Sequence, residues 1–354
     1  MKSFKKYILH KYIATLAGLA GIALSTAVHA DTVVTFAGGN ASATVLFDRA
    51  SNVLSGLSLV VSNSTVQTFT GTISGQPGLG NVTINFVLTG AVGGLQSVQG
   101  QNNVVTAAGT SLAPQVAVSS TAPEAVGIDP SSFTQTKTLV VPYAFIKNPA
   151  SADVASITNL TQRQAYYLEG AAGTLPTSFF GGNSTNLIYF VGRNTASAVR
   201  TEIDANIYFS GTLASYTTNS SGQPIPDPNS NPGQSSGSGI RALLTVIPNA
   251  IGTVAAQDIK TFTPLAYEGV PFSVTNVENG SYPLWGYERW LYLKSGQQGA
   301  PSANQLAVIN ALLSSVTDPT FQQTGKAFVG NFVPLAGLKV YRDADGGPIK
   351  SLLY

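Results

Sequence analysis

The chain has 354 residues, with 18 Lys and Arg, 16 Asp and Glu, two His, one Met and no Cys. A formal net charge of only +2, without a basic cluster, argues against a nucleic-acid-binding face, because phosphate backbones demand clustered Lys and Arg. Charged residues make up 10% of the chain and hydrophobic residues 44%, a balance that argues against disorder.

Residues 1–30 have the pattern of a secretory signal peptide. A basic start is followed by an apolar run rich in Ala, Leu and Gly, and Val28-His29-Ala30 supplies the small residues of a cleavage site. A retained transmembrane helix is the alternative, but the run is short and no stop-transfer pattern follows. We expect cleavage before Asp31 and a periplasmic or secreted protein.

Cleavage would change the chemistry available to the chain. It would remove four lysines and no acidic residue, so the net charge would become about −2. It would also remove His10, His29 and Met1, leaving no His, Cys or Met. Ser-His-Asp and Cys-His catalysis and zinc sites built on His or Cys are then excluded. We expect no enzymatic activity, no cofactor and no metal.

The first part of the mature chain alternates β-rich runs, small-residue turns and helical patterns, which is typical of an α/β fold. In chain order, the sequence predicts a strand over 32–36, a turn over 37–42, a helix within 43–59, strands over 66–69 and 82–88, a Gly-rich turn over 89–95, a short helix opening within 95–98 and an apolar run over 114–119.

The second part continues the same alternation. The strongest strand signal, 138–146, is interrupted by Pro142, which predicts an edge position or a bend. Further predictions are a helix over 161–168, a strand over 186–192, a helix from Ala198, a long Pro-rich loop over 215–239, a strand or helix start over 242–247, a strand after 249 and an amphipathic helix over 302–316.

One local pattern recurs near Ser42, Gly90 and Ser197: a strand, a small-residue turn and a helix start. In open α/β sheets such turns lie at the carboxyl ends of strands, where ligands bind. Helix N-termini present free N–H groups and partial positive charge there. Converging termini together with Arg193 therefore predict an anion site.

The order of these motifs resembles the phosphate-binding solute receptors of ABC importers, within the type II periplasmic-binding-protein fold. Gly38-Gly39-Asn40-Ala41-Ser42 and residues 88–94 resemble the family's two Gly-rich phosphate loops, and Val118-Ser119-Ser120-Thr121-Ala122-Pro123 resembles its "A-S-D-A-P" segment. Residues 192–199 resemble its "R-x-x-x-S-G-T" loop. The remaining similar segments are 140–144, 157–170, 237–252 and 280–285.

The resemblance implies an α/β protein of two lobes, with mixed sheets flanked by helices and a ligand cleft between the lobes. Lobe I would be discontinuous, built from 31–141 plus 255–354, and lobe II would comprise 142–254. Strands that cross between the lobes would serve as the hinge.

The resemblance also implies a set of ligand-binding residues: Ser42, Ala91, Thr121, Arg193, Ser197, Ala198 and Val199. Ser42, Arg193 and Ser197 match the family pattern. Ala91 stands where a Ser is usual, and Ala198 and Val199 replace Gly and Thr. Thr121 replaces an Asp that accepts the phosphate proton, so we expect weaker discrimination between phosphate and sulfate.

Several of these residues have simpler interpretations. Arg193 is also compatible with a surface arginine that ends a strand, and Ser197 with an ordinary helix cap. Arg200 is expected to pair with Asp204 at i, i+4. The aromatic residues of 282–292 are expected to pack in the core, the alternative being a carbohydrate or partner surface. Asp343 and Asp345 are expected to shape a turn, the alternative being a calcium site.

The sequence thus predicts an exported solute-binding protein that captures phosphate or a similar tetrahedral oxyanion for an ABC importer. Its expected partner is an ABC permease in the membrane, and we expect a monomer that does not bind nucleic acid. One alternative is a secreted structural or adhesive protein on a degenerate form of the same fold. Another is a receptor for sulfate or another oxyanion.

Overall fold

The computed structural model describes residues 30–170, 173–182 and 185–352. Residues 1–29, which hold all but the last residue of the predicted signal peptide, lie outside the described residues. Within the described part of the chain, no helix is both long and apolar enough to cross a membrane.

Helices and strands alternate along most of the described chain. The α-helices are α1 (Ala43–Val53), α2 (Ala91–Gly100), α3 (Gln162–Gly170), α4 (Ala198–Ile207), α5 (Gly237–Val246), α6 (Val274–Glu278), α7 (Ala303–Val316) and α8 (Pro319–Thr324). The strands are β1 (Thr32–Gly38), β2 (Leu54–Val61), β3 (Val66–Ile73), β4 (Val82–Val87), β5 (Val104–Val105), β6 (Ser111–Leu112), β7 (Val116–Ser119), β8 (Phe133–Lys147), β9 (Asn159–Leu160), β10 (Thr174–Pro176), β11 (Leu187–Val191), β12 (Tyr216–Thr218), β13 (Pro224–Pro226), β14 (Ala250–Ala255), β15 (Thr263–Pro264), β16 (Ala266–Tyr267), β17 (Trp285–Leu293), β18 (Val340–Tyr341) and β19 (Lys350–Ser351).

One mixed sheet connects most of these strands, in the order β10-β11-β14-β8-β17-β7-β1-β4-β3-β2. β1 runs parallel to both β4 and β7, and β11 runs parallel to β14. The carboxyl ends of parallel neighbours lie at one edge of a sheet, so the turns that follow β1, β4 and β7 meet there. The architecture is the α/β class that the sequence predicts.

The 15-residue strand β8 carries the chain from one half of the sheet to the other. Up to Pro142 it pairs with β17, and from Tyr143 onward it pairs with β14. Pro142 therefore lies inside the sheet, at the change of partner, and not at a sheet edge. A residue without an N–H is tolerated there because the ladder changes partner at that point.

The prediction of a helix within 43–59 is wrong for the second half of that range. The helix ends at Val53, and Leu54–Val61 forms the edge strand β2, paired antiparallel with β3. Spaced apolar residues fit a helix or a strand equally well over so short a run, and the β-branched pair Val60-Val61 favours the strand. The tertiary pairing with β3 decides the outcome.

Two other segments differ from the prediction. Helix α2 begins at Ala91, four residues before the predicted opening, even though it contains Gly93 and Gly94. The long loop over 215–239 is not structureless, because β12 and β13 form a short hairpin inside it. Its last residues enter α5, whose N-cap Ser236 accepts a hydrogen bond from the Gly239 N–H.

Gly94 explains why α2 can carry glycines: the helix packs directly on β1. A Cβ at Gly94 would lie 2.4 Å from the Gly38 Cα and 2.6 Å from the Ala37 carbonyl oxygen. We expect Gly94→Ala to destabilise the protein by about 1–3 kcal/mol, the usual cost of overpacking. Chemical denaturation of the purified variant measures this loss.

Gly93→Ala is the matched control, because a Cβ at Gly93 meets no atom within 4 Å. It lies in the same helix, and replacing a helical Gly by Ala gains about 0.5–1 kcal/mol. If both variants were equally stable, the close packing of α2 on β1 would be contradicted.

The aromatic residues of 282–292 lie largely in the core, as predicted. Tyr282, Trp285 and Trp290 are fully buried, and the Tyr282 hydroxyl donates to the Tyr143 carbonyl at 2.8 Å. The i, i+4 ion pair between Arg200 and Asp204 is also confirmed, at 3.2 Å.

Candidate functional site

Four strand-end turns line one small cavity. The turn after β1 contributes Gly39, Asn40 and Ala41, and the turn after β4 contributes Thr89 and Gly90. Ser120 follows β7, and residues 193–199 follow β11. The full lining comprises Gly39, Asn40, Ala41, Thr89, Gly90, Ala91, Ser120, Arg193, Ala196, Ser197, Ala198, Val199 and Ser235.

The cavity volume is about 20 Å³. One water needs roughly 10–15 Å³, and sites that enclose organic molecules measure about 300–1,000 Å³. As it stands, the cavity therefore has room for little more than one water. Its walls approach closely: a Cβ at Gly90 would lie 3.2 Å from the Ala196 carbonyl oxygen.

Five of the seven predicted site residues line the cavity: Ala91, Arg193, Ser197, Ala198 and Val199. The other two do not line it, although their chain neighbours Ala41 and Ser120 do. Ser42 and Thr121 are both fully buried. Their role as ligand residues stays a prediction.

Three helices present uncapped N-termini around the cavity. They are α1, α2 and α4, whose N-cap positions are Ser42, Gly90 and Ser197. Neither serine uses its hydroxyl to cap its own helix, and glycine has no side chain to do so. The first N–H groups of a helix have no partner inside that helix, so these termini offer free donors and partial positive charge.

The other α-helices of the described chain are capped by side chains. Ser236, Ser273, Ser302 and Asp318 each accept a backbone N–H at the start of α5, α6, α7 and α8. At α3 the Thr161 hydroxyl accepts from the Gln164 N–H. Among the described α-helices, missing side-chain caps are thus a feature of the three that begin around the cavity.

Arg193 supplies positive charge to the cavity wall. Only 5% of its surface is exposed, and its Nε and one terminal nitrogen donate to the carbonyl oxygens of Gln234 and Ser235 at 3.0 and 2.9 Å. Among the described residues it forms no ion pair with a carboxylate. Burial lowers the pKa of Arg193 to about 10, so the guanidinium stays charged at neutral pH.

Two buried hydroxyls of the predicted site residues have no partner in the described chain. The Oγ of Ser197 and the Oγ1 of Thr121 form no hydrogen bond with the described residues. A buried polar atom without a partner costs about 1–3 kcal/mol, so its retention needs a reason. An acceptor bound in the cavity would satisfy the Ser197 hydroxyl.

Ser42 faces the interior carboxylate of Glu288. Ser42 and Trp290 lie near enough to stabilise its charge, although neither reaches strict hydrogen-bond geometry. Thr138 donates to Glu288 Oε1 at 3.3 Å. Burial outweighs these contacts and raises the pKa of Glu288 from its ordinary 4.5 to about 7. The neutral acid is therefore the form that the fold prefers.

The raised pKa of Glu288 predicts a pH dependence of stability. A carboxyl whose pKa is higher in the folded state stabilises the fold below its unfolded pKa, and this contribution is lost as the pH rises through 7. The shift corresponds to about 3 kcal/mol. Denaturation of wild type and Glu288→Gln at pH 5 and pH 8.5 measures it.

Because Gln stays neutral, we expect the wild type to lose stability relative to Glu288→Gln as the pH rises. A constant difference between the two proteins across this range would contradict the assignment.

The two C-terminal aspartates take part in ion pairs. Asp345 pairs with Arg289 at 2.8 Å and also accepts the Ala122 N–H, next to Thr121. Asp343 pairs with Lys350. No group of three or more His, Asp or Glu residues that could hold a metal occurs within residues 30–170, 173–182 and 185–352.

Sequence reasoning did not single out some lining residues. Thr89 and Ser120 lie in turns that it had identified, next to predicted site residues. No sequence pattern pointed to Ser235, because it lies at the end of the long loop. It joins the cavity wall because its carbonyl oxygen accepts a hydrogen bond from Arg193.

No protein-family model matches the chain, and no curated protein sequence matches it. Solved structures do. A protein of Clostridium perfringens assigned as a phosphate ABC transporter substrate-binding protein, solved with bound phosphate, is 14% identical over 86% of this chain and 100% of its own, with a TM-score of 0.56. An ABC-type phosphate transport receptor of Vibrio cholerae is 14% identical over 85% and 99%, with a TM-score of 0.54. At this identity the likeness shows the fold, a mixed α/β architecture of the type II periplasmic-binding-protein kind.

Proposed function

We propose that this protein is an exported solute-binding protein that captures phosphate, or a similar tetrahedral oxyanion, for an ABC importer. The observation that carries the proposal is the convergence of three uncapped helix N-termini and one buried arginine on a single small cavity. Both features favour a bound anion, which would supply the acceptors and the negative charge that the cavity wall lacks. The shared fold with phosphate receptors agrees with this role.

The contacts of the anion follow from the lining. Backbone N–H groups at the starts of α1, α2 and α4 would donate to its oxygens, so few side chains are needed. The Ser197 hydroxyl would add a donor, and Arg193 would supply the compensating charge. The methyl groups of Ala91 and Ala198 and the side chain of Val199 add no polar atoms, so the backbone at these positions does the binding.

The fully buried hydroxyl of Thr121 bears on selectivity. A carboxylate at this position can accept a proton from the ligand and repel a fully deprotonated anion. The Thr121 hydroxyl both donates and accepts, so it tolerates a protonated and an unprotonated oxygen alike. We therefore expect phosphate to be favoured over sulfate by less than a carboxylate would allow.

Binding would be coupled to closure of two lobes. The predicted division is 31–141 plus 255–354 against 142–254, and the change of partner of β8 between Pro142 and Tyr143, one residue after the first boundary, supports it. In this division Arg193 and α4 would belong to the second lobe, and α1 and α2 to the first. An anion that contacts both would favour the closed form, which the permease would recognise. The proposal includes no catalytic step.

A thermal shift panel tests the proposal. Residues 31–354 are stripped of carried-over ligand by dialysis under denaturant, refolded, and melted with phosphate, arsenate, sulfate or molybdate. A ligand at about 100 times its dissociation constant stabilises the folded state by about 2.7 kcal/mol, which raises the melting temperature measurably. We expect phosphate and arsenate to give the largest shifts. A protein that no oxyanion stabilises would refute the proposed function.

A further inference from the structure

A second and much larger cavity adjoins the small cavity described above, which we call the anion cavity. Its volume is about 520 Å³, within the range of roughly 300–1,000 Å³ typical of sites that hold organic ligands. Asn40, Thr89 and Ser235 line both cavities, so the two spaces meet at these three residues. We call the larger space the outer chamber and these three residues the neck.

The outer chamber is bounded by both halves of the sheet. One side consists of Asn40, Ala43, Thr44, Asn63, Ser64, Thr65, Leu88 and Thr89, and the other of Ser235, Ser236, Gly237, Ser238, Arg241, Gln257, Asp258 and Lys260. At the neck, the Gln257 side chain donates to the Asn40 carbonyl at 3.2 Å and so joins the two sides. A ligand in the outer chamber would contact both.

The lining of the outer chamber is rich in hydroxyl and amide groups. Five of its residues are Ser or Thr, apart from the neck, and Asn63 and Gln257 add side-chain amides. Hydroxyls and amides donate and accept hydrogen bonds, which suits a ligand that carries several hydroxyl groups.

The charge of the chamber is positive. Arg241 and Asp258 neutralise each other in an ion pair of 2.8 Å. Lys260 is exposed and forms no ion pair with a described residue, so it adds one positive charge at the rim. The neck residue Ser235 also holds Arg193 through its carbonyl oxygen, which couples the chamber to the anion cavity.

We propose that the ligand is a phosphate monoester whose organic group carries several hydroxyls, of about the size of a sugar. This inference rests on the proposed function and narrows it. The three terminal oxygens of the ester would occupy the anion cavity, and the ester oxygen would lie at the neck. The organic group would fill the outer chamber, which an inorganic anion leaves empty.

Calorimetric titration with three probes tests the inference: glucose 6-phosphate, inorganic phosphate and glucose. For the stripped wild type we expect glucose 6-phosphate to bind at least about tenfold more tightly than phosphate, because it uses both cavities. Glucose alone is expected to give no measurable heat, since it lacks the anion.

The variant Ser64→Trp tests the location. Ser64 is exposed on the chamber wall, so an indole there occupies chamber volume without disturbing the core. We expect glucose 6-phosphate to bind at least about tenfold more weakly while phosphate binding is unchanged. Ser295→Trp, an exposed residue outside both linings, is the matched control and should change neither.

Lys260→Asn provides a second, milder variant, since Asn tolerates the positive φ of 52° at this position. It should weaken the binding of glucose 6-phosphate more than the binding of phosphate. If Ser64→Trp blocks phosphate binding as well, Lys260→Asn becomes the variant that tests where the organic group lies. The inference is overturned if the wild type binds phosphate as tightly as the ester, or if neither variant separates the two. In those cases the proposed function stands. If neither anion binds the wild type, the proposed function itself fails.

Discussion

Replacing Arg193 with Ala should weaken phosphate binding by at least about 30-fold. The arginine is the buried cation of the anion cavity, and removing one partner of a buried, hydrogen-bonded charge pair costs about 2–5 kcal/mol. In the absence of ligand, two effects on stability oppose each other. The substitution removes an unpaired buried charge, but it also leaves the carbonyl oxygens of Gln234 and Ser235 without their donor.

Titration calorimetry of wild type and Arg193→Ala with phosphate measures this loss, and melting without ligand measures the effect on the fold. Arg163→Ala is the matched control, because Arg163 is exposed and does not line the cavity. If Arg193→Ala bound phosphate as the wild type does, Arg193 would have only the structural role of holding the loop carbonyls of Gln234 and Ser235.

Replacing Ser197 with Asp should abolish phosphate binding and stabilise the ligand-free protein. An aspartate at this N-cap would place a carboxylate at the uncapped start of α4, beside Arg193. Asp is among the best N-cap residues, and an anion at a helix N-terminus stabilises it by about 0.3–1 kcal/mol. The tethered carboxylate would then compete with the ligand for the same donors.

We expect the melting temperature of Ser197→Asp to rise by about 0.5–1.5 °C without ligand and to show no further rise with phosphate. Ser302→Asp is the control, because the capping box of α7 already satisfies that helix start away from the cavity. If Ser197→Asp lowered the stability and left phosphate binding intact, the N-terminus of α4 would not face the bound anion.

Much of the cavity lining was predictable because the turns that form it are local. Each cavity turn is a short run of small residues between a strand and a helix, and the chain itself records that pattern around Gly90 and Ser197. Arg193 follows the strand β11 directly, so its place at the carboxyl end of the strand also follows from the sequence. These features need no long-range information.

Other features depend on contacts between distant parts of the chain. Leu54–Val61 becomes a strand because β3 offers it an edge, which the apolar spacing alone does not reveal. Ser235 joins the site because Arg193, 42 residues away, donates to its carbonyl oxygen. Asp345 looked like a turn residue, and its pairing with Arg289 and Ala122 required the fold. Such partners cannot be found from local periodicity.

The central claim is that the small cavity binds one oxyanion, and a calorimetric titration of stripped residues 31–354 with inorganic phosphate tests it most directly. The account predicts heat that saturates at one phosphate per protein and disappears in Arg193→Ala. Absence of heat with millimolar phosphate, in a wild-type sample that melts cooperatively, would contradict it.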